Sequence, residues 1–124
     1  YGIWGSPASK RNLVMIAEGE MALIVTEESL YSGVEMSFSS IYKNGEKIFS
    51  FISSFSDEGA KEFEYQRTRY RQYISFDKKR NLLKMTKKGK EPNLKGKIVP
   101  VLSVSFYTYE DGFLNKKSTL NLLH

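Results

Sequence analysis

Apolar residues in this chain fall into short runs and period-two alternations bounded by turn residues, the pattern of strands rather than of amphipathic helices. Leu13–Ala17 and Met21–Thr26 are apolar, β-branched runs joined through Glu18-Gly19, and they predict a hairpin whose continuous apolar character points to burial. From Val34 to Phe55 two alternating segments flank Asn44-Gly45. That dipeptide accepts the positive φ angles of a two-residue type I′ turn, which closes a hairpin and sets its register. Counting outward from Lys43 opposite Glu46 places Ile41 opposite Ile48, Phe38 opposite Phe51 and Met36 opposite Ser53. Met36, Phe38, Ser40 and Tyr42 then share an aromatic face with Phe49, Phe51 and Phe55, on which Phe38 and Phe51 are expected to be buried neighbours. Glu35, Ser37, Ser39 and Ser54, with Ile41, Ile48 and Ile52, fall on the expected outer face.

The remaining elements follow the same logic. Glu27-Glu28-Ser29 is read as a break before the central hairpin, and Asp57–Lys61 as a loop or at most one helical turn. Phe63–Phe76 suits one long strand, with a bulge that brings Phe63 and Tyr65 onto the face of Ile74 and Phe76. Asp77–Asn81 is a charged turn into Leu82–Thr86, and Lys87–Gly96, containing Gly89, Pro92 and Gly96, is the longest expected irregular segment. Lys97–Thr108 is another strand, in which Pro100 argues for an edge position, a bulge or a break. A three-residue loop at Glu110-Asp111-Gly112 would pair Leu102 with Leu120 and gather Val104, Phe106, Leu114 and Leu122 on one face. The sum is an all-β single domain over 1–124, an antiparallel up-and-down meander of about eight strands with no helix longer than two turns. Closing that meander into a barrel would remove its exposed edges, and a β-sandwich is the alternative.

Gly2-x-Trp4 ahead of an up-and-down β pattern resembles the head of the lipocalin and calycin superfamily. That resemblance implies a tryptophan plugging the closed end of a barrel, with Lys116 or Lys117 over the indole. The second lipocalin signature, Thr-Asp-Tyr, is absent, and no Arg follows Arg80. Fatty-acid-binding proteins belong to the same superfamily, but Gly5–Asn12 is too short for their two-helix lid. Arg71-Gln72-Tyr73 has the spacing of their Arg-x-Tyr carboxylate clamp, although in mid-chain.

Eight Tyr, eight Phe and only three Pro in 124 residues favour a packed aromatic core over disorder. There is no cysteine and a single histidine, His124, so neither a disulfide framework nor a thiol or imidazole site can be assembled. The carboxylates cluster at turns, no Ser-His-Asp set exists, and the expectation is a non-enzymatic protein without a cofactor. No run is long or apolar enough for a transmembrane helix. A start at Tyr1 fits a removed signal or lipoprotein leader, and equally a domain boundary; an extracytoplasmic, secreted setting is the expectation. On this reading Met36, Phe38, Tyr42, Phe49 and Phe51 line a cavity for an apolar or amphipathic small molecule. Arg71 and Tyr73 hold an anionic head at its mouth.

Charge supplies the other reading. Residues 1–64 carry five Lys or Arg against ten Asp or Glu, and residues 65–124 carry fourteen against four. Arg67, Arg69 and Arg71 form a same-face ladder that calls for acidic cross-strand partners or a ligand. With Lys84, Lys87 and Lys88 they could hold an anionic polymer, a membrane surface or a partner protein, or could simply form a solvated basic face.

Overall fold

The computed structural model describes residues 10–61 and 67–123. Eight strands run in order: β1 (Lys10–Ala17), β2 (Glu20–Tyr31), β3 (Val34–Lys43), β4 (Glu46–Ser56), β5 (Arg69–Asp77), β6 (Leu82–Pro92), β7 (Ile98–Glu110) and β8 (Phe113–Asn121). They form one antiparallel sheet in which each strand pairs with its sequence neighbours. The all-β, up-and-down reading therefore holds, and the only helix described is the short 3-10 turn Glu58–Ala60. The closed barrel does not: among the described residues no pair joins β1 to β8. Instead the sheet folds over itself, with β1 approaching β5, β6 and β7 and β4 approaching β8. One core results, built from Ile16, Ala22, Ile41, Phe51, Leu83, Met85, Tyr107 and Leu114.

The central hairpin turns where its sequence places it. Asn44 and Gly45 have φ of 54° and 83°, and Lys43 faces Glu46. A first bulge in β4 then shifts the register, so that Ile41 faces Phe49, Ser39 faces Phe51 and Phe38 faces Ile52, and a second puts Ser37 opposite Ser54. The expected pairing of buried Phe38 with Phe51 is thus corrected: Phe51 is 9% exposed, while Phe38, on the opposite face, is 48% exposed. Ile41, expected outside, is fully buried. Each bulge inserts one unpaired residue, and one insertion inverts every side chain beyond it.

Other boundaries move for similar reasons. Glu27-Glu28-Ser29 does not interrupt β2, because these residues pair with Phe38, Ser37 and Met36, and the chain turns at Ser32-Gly33 instead. Strand β6 continues through the expected irregular segment as far as Pro92. It can do so because Gly89 pairs with Tyr70 and Val101 and lacks a Cβ that would collide with the β5 backbone. Pro100 lies beyond the part of β7 that β8 covers, a local edge as expected. The last hairpin is a two-residue turn at Asp111-Gly112 with Glu110 facing Phe113. That turn sets Leu114 opposite Tyr109, on the other face, and a bulge after Phe106 then puts Val104 opposite Leu120. Phe63, Tyr65 and Trp4, which carried the expected β5 bulge and the barrel plug, lie outside the described residues. Lys116 stands over the Tyr107 ring, at 6.0 Å, and Lys117 pairs with Glu110 at 3.5 Å.

The seam between β4 and β5 is short. Three pairs connect them: Ser54 with Arg71, Phe55 with Tyr70 and Ser56 with Arg69. Asp57, itself buried, reinforces the seam by accepting from Thr68 N–H at 2.7 Å and donating its own N–H to the Thr68 carbonyl at 3.1 Å.

Candidate ligand-binding groove

Cross-strand partners share a face, so successive rows across β1–β4 show how that face changes along the strands. Nearest the core runs Asn12, Ile24, Ile41 and Phe49. The next row is Lys10, Thr26, Ser39 and Phe51, and the one after is Glu28, Ser37, Ser54 and, across the seam, Arg71. One face thus passes from apolar to hydroxyl-bearing to charged within three rows. Where β5 crosses it lies a half-open groove of about 530 Å³, with Val14, Ile24, Phe51 and Ile74 at its apolar end. Lys10, Glu28, Ser54, Arg71 and Tyr73 line its polar side.

The floor is held by its own hydrogen bonds. Thr26 Oγ1 and Ser39 Oγ lie 2.8 Å apart, and Ser39 is 1% exposed. Ser53 Oγ donates to the Ser37 carbonyl at 3.1 Å, and Gln72 Nε2 donates to the Ile52 carbonyl at 2.8 Å, tying β5 to β4 beyond their short ladder. Such bonds satisfy the floor's hydroxyls and fix their positions.

Of the ligand-binding residues expected from sequence, this groove brings together Phe51, Arg71 and Tyr73. Phe49 packs behind it, 5.0 Å edge-on to Tyr107 and 6.0 Å from Phe51. Met36, Phe38 and Tyr42 do not join it: they alternate along β3 with the inward Ser37, Ser39 and Ile41 and so lie on the reverse face, where Met36 faces Phe55 and Tyr42 faces Lys47. Tyr42 borders a wider depression of about 600 Å³ there, with Leu13, Met21, Leu23 and Val25. Thr26, Ser37, Ser39 and Gln72 were not legible as site residues. Their one signal in the sequence is the i, i+2 spacing of serines opposite an aromatic stripe, and the stripe's composition points the other way.

The basic residues divide as well. Arg69 and Arg71 lie directly opposite Lys90 and Lys88, the reverse of the acidic cross-strand partners the ladder called for. Glu58 stands 3.4 Å from Arg69, and Arg67 Nε donates to the Lys61 carbonyl. Lys84 and Lys88 share the face of Arg69 and Arg71. Lys87 points to the other face, 4.4 Å above the Tyr70 ring and paired with Glu91. Burial raises the Tyr70 hydroxyl above the ordinary tyrosine range, with Lys87 pulling the other way. Among the described residues no helix is long and apolar enough to cross a membrane. Comparison with family models, with curated proteins and with solved structures finds no match to this chain.

Proposed function

We propose that this protein is a non-enzymatic binding protein for an amphipathic small molecule bearing an anionic group. It would be lipocalin-like in its up-and-down strand order, with the ligand in the half-open groove rather than inside a closed barrel. The observation that carries this reading is the gradient along one face, from Ile24 and Phe51 through Thr26 and Ser39 to Ser54 and Arg71. A ligand lying along the strands would set its apolar body against Phe51 and Ile74 and its carboxylate or phosphate against Arg71, where a charge-assisted hydrogen bond fixes orientation.

Titration of a fluorescent fatty acid at low and moderate salt tests this. Saturable binding that changes little with salt is expected, since one ion pair contributes weakly to the dependence, and Arg71→Ala should weaken it about tenfold. No saturable binding at either salt overturns the reading. A second reading, an anionic partner on the basic face of β5 and β6, is favoured by the like-charged pair Arg71–Lys88, which repels unless an anion lies over it.

A further inference from the structure

The register continues that basic face into an apolar one. Row by row across β5, β6, β7 and β8, Ser75 and Lys84 lead to Phe106 and Ser118, Tyr73 and Thr86 to Val104 and Leu120. Below them Arg71 and Lys88 lead to Leu102, whose carbonyl accepts the Leu122 N–H at 2.8 Å. One sheet face is therefore split lengthwise, cationic along β5 and β6 and apolar along β7 and β8. Between the halves lies a shallow groove of about 350 Å³, floored by Val104 and Phe106 and bordered by Lys84, Arg80, Leu120 and Leu122. The Arg80 guanidinium sits 4.8 Å over the Phe106 ring, Asp77 pairs with Arg80 at 3.9 Å, and Leu120 and Leu122 are 50% and 53% exposed.

We infer that this face docks on a bilayer surface containing anionic phospholipid. Half-exposed leucines beside a lysine and arginine column match an interface in which apolar side chains enter the headgroup and acyl boundary while the cations meet phosphates. A nucleic acid or an acidic polysaccharide would engage the cationic columns and leave Leu120 and Leu122 in water. The inference rests on the basic-face reading and adds both the occupant and the apolar half. The face shares Arg71 and Tyr73 with the proposed ligand groove, but the residues it is tested on, Lys84, Lys88, Leu120 and Leu122, do not line that groove, so failure here leaves the fatty-acid titration unaffected.

Cosedimentation with vesicles of phosphatidylcholine alone, and of phosphatidylcholine with 30% phosphatidylglycerol, provides the test, with a single-stranded oligonucleotide as a parallel probe. Binding to the anionic vesicles and not to the neutral ones is expected. Lys84→Glu with Lys88→Glu should weaken it by well over tenfold, because each lysine near an anionic surface contributes roughly fivefold. Leu120→Ser with Leu122→Ser should weaken it by roughly tenfold or more at a salt concentration that screens the cations. Leu122→Ser alone, at an exposed site past the last strand pair, should weaken it in the same direction if the double variant is poorly folded. Absence of binding to anionic vesicles at 50 mM salt overturns the proposal. So does vesicle binding that the leucine variants leave unchanged, or oligonucleotide binding that is as tight and as sensitive to Lys84 and Lys88.

Discussion

Replacing Gly89 by alanine tests how closely β5 and β6 approach. A methyl built on Gly89 would stand 2.5 Å from Tyr70 Cα and 2.8 Å from Tyr70 Cβ, and nearer still to the Arg69 carbonyl oxygen. Unstrained carbon contacts lie at about 3.5–4.0 Å, so β5 must withdraw by about 1 Å. Overpacking of this kind costs about 1–3 kcal/mol, and loosening one or two ladder hydrogen bonds adds about 1–2 kcal/mol. In a domain of this size the sum corresponds to a melting temperature lowered by roughly 10–20 °C. Gly45→Ala is the control. Its φ is also positive, at 83°, but nothing lies within 4 Å of the added methyl, so only backbone strain of about 1 kcal/mol is expected. Thermal unfolding followed by circular dichroism, with urea melts for the free energies, distinguishes the two. If Gly89→Ala melts within about 3 °C of the parent, or no lower than Gly45→Ala, the close approach of the two strands is wrong. Because β5 carries Arg71 and Tyr73, the same substitution should also weaken the proposed fatty-acid binding.

Further expectations follow from burial and bonding. Phe51→Ala should cost about 3 kcal/mol in urea unfolding and Phe38→Ala well under about 1 kcal/mol; equal losses would restore the unbulged register. Asp57→Ala should cost about 1–3 kcal/mol, since it leaves the buried Thr68 N–H without its acceptor, and an unchanged urea midpoint would count against the seam contact. Burial also raises the Tyr107 hydroxyl above the ordinary tyrosine range. The folded state thus holds that proton more tightly than the unfolded chain. The stability it contributes is complete below about pH 10 and is lost as pH rises through the folded value. Tyr107→Phe should flatten the fall in stability above pH 10, and a fall as steep as the parent's would show that other groups drive it.

What the sequence disclosed was local. Asn44-Gly45 fixed the central turn through backbone chemistry alone, and the short connections gave strand number and order. Register beyond the turn depended on two bulges, and bulges answer to packing rather than to local propensity. A fully buried Ile41 and a buried Ser39 bonded to Thr26 outweigh a row of exposed aromatics, so Phe38 and Met36 face outward although their composition suggested the inside. Gly89 likewise looked like a loop residue because only the neighbouring strand reveals why a missing side chain is needed there. The groove is legible in part: Phe51, Arg71 and Tyr73 stand out by their chemistry, but the serines and Thr26 reach it through pairing that residue type does not announce. Closure of the sheet was the least legible property, being set by how the strands twist and fold over one another.

The three-pair seam between β4 and β5 also bears on the order in which the chain acquires its shape. Each of the other ladders joins strands separated by a tight turn or short loop, so their loop-closure entropy is small and both four-strand meanders can form early. Bringing β1 onto β5 and β6 requires contacts far apart in sequence, guided among the described residues by three ladder pairs, Asp57, Gln72 and the Glu18 N–H bond to Asn81. Docking of the two halves is therefore the slow, late event, and the groove, whose walls come from both halves, does not exist before it. A ligand that fits the groove then acts as a clasp, retarding separation of the halves while leaving the formation of each meander unchanged.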